Sequence, residues 1–415
     1  DTGTYVLPTN VVIDATDSGV MIQGPTGDGH TAELDRANFA TGSYVFDLAD
    51  ADDVTLSHLT LRSGYYGVYA ASGADVDGLR IEASEIDGSS ALVGGQSRYG
   101  VYLVSTSHDD AVLVDNRVHG MSSSGVSLAG PGARIIGGIY FDNSYGMYLT
   151  GSGSLVQGIE AFGNSQYGVY VNGAGSEVLD SEVHDNAAGG IDAGNNIRVA
   201  GNTVYGHRDS SDTGIRISGA GALAENNVVY DNFNGLSVNS DARAIGNRSY
   251  GNEVGIVAAS FGGRVLGNSV YSNNTGIYVA GYSTYDSLVQ NNLVYGNFGN
   301  GLLVADGSGH VIENNTIYEM TGDAVSVQGT ASNVTLRNNI LSVADGYAIR
   351  VADTSQVGFA SDYNLFDLSG IALLGMWQGV DYLDLKEWGH VLGLDTNSQV
   401  TDPEFIDPDG PDGIL

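Results

Sequence analysis

Tyr170, Asp192 and Arg216 recur about one repeat apart and fall at equivalent outward positions of three successive repeats. A carboxylate set between a phenol and a guanidinium has the parts for proton transfer at carbon. Asp192 would abstract the C5 proton of a uronate sugar, Arg216 would neutralise the uronate, and Tyr170 would return a proton. His207, with His184, Arg208 and Asp209, lies on nearby turns and could join that proton traffic. The same residues also read as a surface Asp–Arg pair worth less than about 1 kcal/mol.

A second group is aromatic. Tyr69, Tyr102, Tyr148 and Tyr170 each follow a Gly-apolar pair. Aromatic faces suit the apolar C–H side of a sugar ring, which makes these four a candidate glycan-binding row. Cross-strand packing explains the same tyrosines without a ligand. A third group is acidic: Asp47, Asp50, Asp52 and Asp53 near the start, and Asp402, Asp407, Asp409 and Asp412 near the end. Ca²⁺ takes six to eight oxygens from such side chains and from carbonyls, so Asp50, Asp52, Asp53, Asp407, Asp409 and Asp412 are candidate metal ligands. Turn chemistry accounts for Asp-Pro and Asp-Gly equally well. His108, Asp109, Asp110 and His119 show no i, i+4 histidine pair and are not read as a metal site. Ca²⁺ is the one cofactor expected, and no motif points to an organic one.

These residues are positioned by a repeat. From Gly190 to Gly276 each unit opens with Gly-apolar, runs through a polar turn, reaches an N-x-V-Y-x-N variant and turns again. A period of roughly 20 to 25 residues with one supersecondary pattern means a solenoid. The residue after each opening Gly is apolar, as in Val101, Val126, Met147, Val169, Ile191 and Ile215, so this row faces the core. Strand side chains alternate, so the next row points out. Asn202, Asn227, Asn247, Asn268, Asn292, Asn315 and Asn339 form another row that can hydrogen-bond from coil to coil. Tyr205, Tyr230, Tyr250, Tyr271, Tyr295 and Tyr318 follow three residues later. Alternation sends them outward, although a nearby turn could tuck them in. The long spacing from Gly67 to Gly100 holds an insertion at Ser89 to Ser97, expected to project as a loop. In 381–392, Tyr382, Leu385, Trp388 and Leu392 have helical spacing, with Asp381 as expected N-cap.

Composition narrows the partners. The 49 acidic residues stand against 15 basic ones, a net charge of -34, and Lys386 is the single lysine. Nucleic acid is excluded as a partner, because phosphate binding needs clustered Lys and Arg. A polyuronate would be repelled unless Ca²⁺ bridged the carboxylates. No apolar run is long enough for insertion into a membrane. An acidic, lysine-poor, Gly-rich chain without cysteine suggests an extracellular or bacterial cell-surface setting. The start at Asp1 and the stop at Leu415 read as cuts from something longer or processed.

On these repeats the chain resembles the right-handed parallel β-helix superfamily over about residues 44–370. The short N-x-x-Y-x-N coils are similar to those of mannuronan epimerases and periplasmic copper-maturation proteins. Pectate lyases, polygalacturonases and phage tailspikes share the wider fold. Residues 42–61 (GSYVFDLADADDVTLSHLTL) and the ending DPEFIDPDGPDGIL resemble β-helix segments of giant secreted planctomycete proteins. The right hand of the solenoid is what the resemblance implies. The epimerase signature Tyr-Gly-x-Asp-Pro-His-Glu has its nearest match at Gly190-Ile191-Asp192. Gly189 replaces the Tyr, and Ala193-Gly194-Asn195 replaces Pro-His-Glu. Tyr99-Gly100, Tyr145-Gly146 and Tyr167-Gly168 supply the Tyr-Gly pair but lead to Tyr, not Asp. Of the polygalacturonase set only Asp109-Asp110 has a counterpart.

The expected architecture is all-β: a right-handed single-stranded parallel β-helix of about 13 coils. Residues 1–42 would form an N-terminal β cap, 43–370 the solenoid, and 371–415 a C-terminal cap with a short helix and an acidic tail. The expected function is a structural or adhesive surface segment, part of a larger protein or fibre, with glycan contact along its tyrosines and no catalysis. The alternative is a carbohydrate-active enzyme, a C5-epimerase or lyase on uronate polysaccharide. End-to-end self-association is a third expectation, requiring one incomplete cap that complements the other.

Overall fold

The computed structural model describes residues 2–27, 31–89, 95–282 and 285–406. Asp407, Asp409, Asp412 and the centre of the Ser89–Ser97 insertion lie outside the described residues. The chain divides into two compact units, Asp1–His207 and Arg208–Leu415.

In the first unit each regular coil contributes three short strands, for example Tyr167–Val171, Glu177–Leu179 and Glu182–His184. Each strand pairs in parallel with its equivalent in the next coil. Val169 faces Ile191, Val178 faces Val199 and Val183 faces Val204. All six are fully buried, so three valine and isoleucine rows fill the interior. β-branched side chains suit this position because they pack against like neighbours above and below. Corners are tight, and Asp180 and Asp185 turn them at φ 50° and 51°. Asp and Asn tolerate this left-handed region better than most residues, which explains their recurrence there. Gly168 follows a third corner, and a Cβ there would fall 2.5 Å from Val183 Cγ1.

The opening segment is a β region that already follows the coil path. Gly3–Val6 pairs with Ala32–Asn38, Val11–Asp14 with Tyr44–Ala49, and Met21–Gln23 with Thr55–Ser57, all in parallel. Tyr5, Val6, Val12 and Met21 on this first coil are exposed.

The second unit repeats the pattern, as in Thr275–Val279, Leu288–Gln290 and Leu293–Tyr295. Here the asparagine row forms a continuous buried ladder. Asn247 Oδ1 accepts from Asn227 N at 3.0 Å and Asn227 Nδ2 at 2.9 Å. Asn247 Nδ2 in turn donates to Asn268 Oδ1 at 2.9 Å and back to Ala224 O at 2.9 Å. The side chain thereby satisfies backbone groups that the corner takes out of the sheet, where an unpaired buried group would be costly. The ladder runs on through Asn292, Asn315 and Asn339 to Asn364. A second ladder at the other corner joins Asn232, Asn252, Asn273 and Asn297. Replacing Asn268 by Ala should strand Asn247 N, Asn247 Nδ2 and Ala244 O, since all three use its amide. The expected loss is about 2 to 4 kcal/mol, read as a lower midpoint in urea. A loss below about 0.5 kcal/mol would show that the ladder is decorative.

Parallel pairing continues to Leu373–Trp377, which joins Tyr347–Val351, and to Gln399–Val400, which joins Leu365–Leu368. Val380–Tyr382 then folds back antiparallel on Leu373–Trp377. The helix spans Leu385–Leu392 and ends at Gly393, φ 70°. Its N-cap is Asp384, which accepts from Glu387 N at 2.8 Å, not the expected Asp381. Asp381 belongs to the returning strand, and its carboxylate accepts the Tyr347 hydroxyl at 2.8 Å. The strand takes up the residues before Asp384, so the helix starts one turn later than its apolar spacing suggests.

Candidate functional site

The strands that open each coil of the first unit carry the tyrosines. Tyr69 faces Tyr102 in register, and Tyr148 faces Tyr170. The rings of Tyr148 and Tyr170 stack at 4.6 Å, and those of Tyr69 and Tyr102 at 6.1 Å. A companion row was missed as a surface feature: Tyr44, Tyr66, Tyr99, Tyr145 and Tyr167, each before the opening Gly or its equivalent. The corner at that Gly interrupts the two-residue alternation, so residues three apart come together. Tyr99 lies 4.3 Å from Tyr102, and Tyr145 stands edge-on to both Tyr148 and Tyr170. The signal was present as a recurrent Tyr-Gly-x-Tyr. Ser124 and Ser127 interrupt both rows in one coil, between Tyr102 on one side and Tyr145 and Tyr148 on the other.

Burial raises four of the phenols of this face. Tyr44 is pushed up to about 12, mainly by desolvation and then by Tyr69. Tyr66, Tyr102 and Tyr170 are also raised, with desolvation the largest cause in each. These hydroxyls therefore stay protonated and neutral across the physiological range, able both to donate and to accept hydrogen bonds.

Tyr170 is the register partner of Asp192. Asp192 is 8 % exposed and contributes to the rise at Tyr170. This brings the phenol and the carboxylate together. Arg216 is an exposed residue of the strand Thr213–Ser218 and belongs to the second unit. His207 does not join the outward row. It is 1 % exposed, and its Nε2 lies 3.3 Å from Asn186 Nδ2, in the asparagine ladder. His184 lies on a different sheet, within a stack of rings running His119, Phe141, Phe162, His184 and Tyr205. Arg208 pairs with Asp231 at 2.9 Å.

In the second unit Tyr230, Tyr250, Tyr271 and Tyr295 stack face to face at 4.8 to 5.1 Å. Tyr230 and Tyr250 are half-buried, whereas Tyr271 and Tyr295 are buried. As at Tyr148 and Tyr170, the ring faces of this ladder cover each other.

The acidic turns use their carboxylates locally. Asp50 Oδ1 accepts from Asp75 N at 2.9 Å, and Asp52 Oδ1 from Asp77 N at 3.0 Å. Asp53 lies under Gly78, where a Cβ would fall 2.5 Å from its Oδ1. Asp47 is the register partner of Tyr69, and burial raises its carboxyl. Asp402 Oδ1 accepts from Glu404 N at 2.7 Å. Among the described residues no group of three His, Cys, Asp or Glu side chains is placed to hold a metal ion. Among them, too, no helix is long and apolar enough to cross a membrane.

Known proteins can be set beside this geometry. No curated protein matches the chain. Among solved structures, the chain is similar to the A-module of the Azotobacter vinelandii mannuronan C-5 epimerase AlgE6. That match has 14% identity over 90% of both chains and a TM-score of 0.35. It is also similar to the tailspike protein of E. coli bacteriophage HK620, at 13% identity over 92% of this chain and 72% of that one, with a TM-score of 0.47. The family described as right handed beta helix region matches residues 66–222, 99–266 and 213–363. With its parallel three-stranded coils and short C-terminal helix, the chain belongs to the right-handed β-helix family.

Proposed function

We propose that this solenoid is a carbohydrate-active surface segment that holds a polysaccharide along the tyrosines of its first unit. The observation that carries the reading is the partly exposed set of packed tyrosine rings between Tyr44 and Tyr170. Neutral hydroxyls can exchange hydrogen bonds with sugar hydroxyls, while the ring edges cover the apolar C–H side of each sugar. An acidic, lysine-poor surface fits an extracellular setting.

A second reading, catalysis, is favoured by one contact, the in-register placement of Tyr170 beside the nearly buried Asp192. Asp192 would take the C5 proton of a uronate unit, and the protonated Tyr170 would supply one to the opposite side or to the leaving oxygen. The first outcome is C5 inversion, the second β-elimination.

The test is calorimetric titration of the full chain with uronate and neutral oligosaccharides, with and without Ca²⁺. Proton NMR would follow C5 inversion, and the ultraviolet band of unsaturated uronates would follow elimination. The double variant Tyr148→Ala, Tyr170→Ala should bind at least about tenfold more weakly, in line with 1 to 2 kcal/mol of lost aromatic contact. Turnover abolished by Asp192→Asn would establish the catalytic reading. Binding without turnover would leave an adhesive segment. Failure of every oligosaccharide to bind would sink both.

A further inference from the structure

Phe261, Tyr282 and Tyr285 break the pattern of the corner they occupy. Equivalent corners of neighbouring coils read SGAGA at 218–222, NSDA at 239–242 and ADGSGH at 305–310, with no Phe, Tyr or Trp. The three rings are 47%, 62% and 42% exposed. They are not a stacking ladder. Phe261 lies 5.3 Å from Tyr282 at 51° and 5.0 Å from Tyr285 at 86°. Ladder rings such as Tyr230 and Tyr250 lie within 8° of parallel and cover one another's faces. Tilted and edge-on rings leave faces open.

Beside them lies a cavity of about 360 Å³, bounded by Phe261, Tyr285, Arg264, Asp241, Asp286 and Ser240 among others. Its size is at the small end of the range for ligand pockets. Arg264 pairs with Asp286 at 2.7 Å and Asp241 at 3.0 Å. The guanidinium offers donors and the two carboxylates offer acceptors in one fixed row, next to an apolar platform. Donors and acceptors side by side are groups that a vicinal diol on a pyranose ring can engage. One face of the sugar packs on the aromatic rings, while its hydroxyls divide between guanidinium and carboxylates.

We propose that this pocket is a second saccharide site, specific for a neutral pyranose unit. Its charge selects the class. Two carboxylates against one guanidinium leave the rim negative, on a chain of net charge -34, which disfavours uronates and sulfated sugars. The site is independent of the tyrosine face of the first unit, so either can fail alone.

The experiment is saturation-transfer NMR and calorimetric titration of the full chain with cellohexaose, N-acetylchitohexaose and, for comparison, hexagalacturonate. Phe261→Ala, Tyr285→Ala and the double variant Tyr148→Ala, Tyr170→Ala are run in parallel. Phe261 and Tyr285 are well exposed, so their loss should leave the melting temperature nearly unchanged. The expected result is that at least one neutral hexaose binds. Either pocket variant should weaken that binding tenfold or more, and hexagalacturonate should not compete. The proposal is overturned if neither neutral hexaose binds, if Phe261→Ala and Tyr285→Ala leave affinity unchanged, or if hexagalacturonate competes at equal concentration. Binding lost only in the Tyr148/Tyr170 variant would assign neutral sugars to the first unit and also overturn it.

Discussion

Between pH 5 and pH 9 the protein should lose stability steadily, and Glu319→Gln should remove most of that slope. Glu319 is fully buried and ends the second asparagine ladder. Its Oε2 accepts from Asn297 N at 2.7 Å and its Oε1 from Asn297 Nδ2 at 2.9 Å. Every asparagine in the ladder presents an oxygen to the coil before it, so the last member must find an acceptor. Glu319 supplies it, at the expense of a carboxyl taken out of water. Desolvation is the dominant effect and pushes the group up to about 8 from 4.5, against the lowering by Asn297.

The sign follows from linkage. An acid raised in the folded state holds its proton more tightly there than in the unfolded chain. Stability is therefore complete below about 4.5, declines as the unfolded chain ionises, and is fully reduced above about 8. The difference corresponds to roughly 4 to 5 kcal/mol. In Glu319→Gln the amide nitrogen must face one of the Asn297 donors, so baseline stability should fall by about 1 to 2 kcal/mol. The buried His108 and His310, both lowered by desolvation, act in the opposite direction and at lower pH. Subtracting the variant's curve from the wild-type curve isolates Glu319. Parallel urea midpoints for the two proteins from pH 5 to 9 would sink the assignment.

Asp395→Ala is expected to cost about 3 to 5 kcal/mol, concentrated in the last coils. Asp395 is 2 % exposed and ends the first ladder. It accepts from Trp388 Nε1 at 3.0 Å, Asn364 Nδ2 at 2.9 Å and Ser398 Oγ at 2.7 Å. Removing the carboxylate leaves the indole N–H and the Asn364 amide buried without this acceptor, and hydrogen bonds to a charged group are worth about 1.5 to 3 kcal/mol each. Trp388 itself is fully buried against Tyr382 and Trp377. Gly375 makes room for it, since a Cβ there would lie 2.6 Å from Trp388 Cζ3. Trp388→Phe keeps most of the packing and removes one donor, so it should cost less than Asp395→Ala. Coils in a solenoid are held mainly by their neighbours, so amide exchange should rise first from about Tyr347 to Val400. A change confined to within 1 kcal/mol, or spread evenly along the chain, would refute the capping role.

Much of the fold was legible because each coil repeats one backbone path. Val169 and Ile191 are inward for the same local reason, so one row predicts the next. The asparagine row was equally readable, since its role needs only another Asn one coil away. The candidate site was less so. Alternation placed Tyr148 and Tyr170 outward, but it could not show that Tyr145 joins them across the Gly corner. His207 looked like a turn residue, yet it occupies a ladder position because its ring can take a buried place beside Asn186.

By itself, then, the sequence determined the solenoid, its inward apolar rows, one of its amide ladders and the outward row of tyrosines, because periodic contacts follow from a periodic chain. Tertiary structure decided everything aperiodic. It set the angles between rings, which leave the faces of Phe261, Tyr282 and Tyr285 open while closing those of Tyr230 to Tyr295. It also decided the ends of the ladders, where the last asparagines still need acceptors and find the buried carboxyls of Glu319, within the solenoid, and Asp395, after its last regular coil.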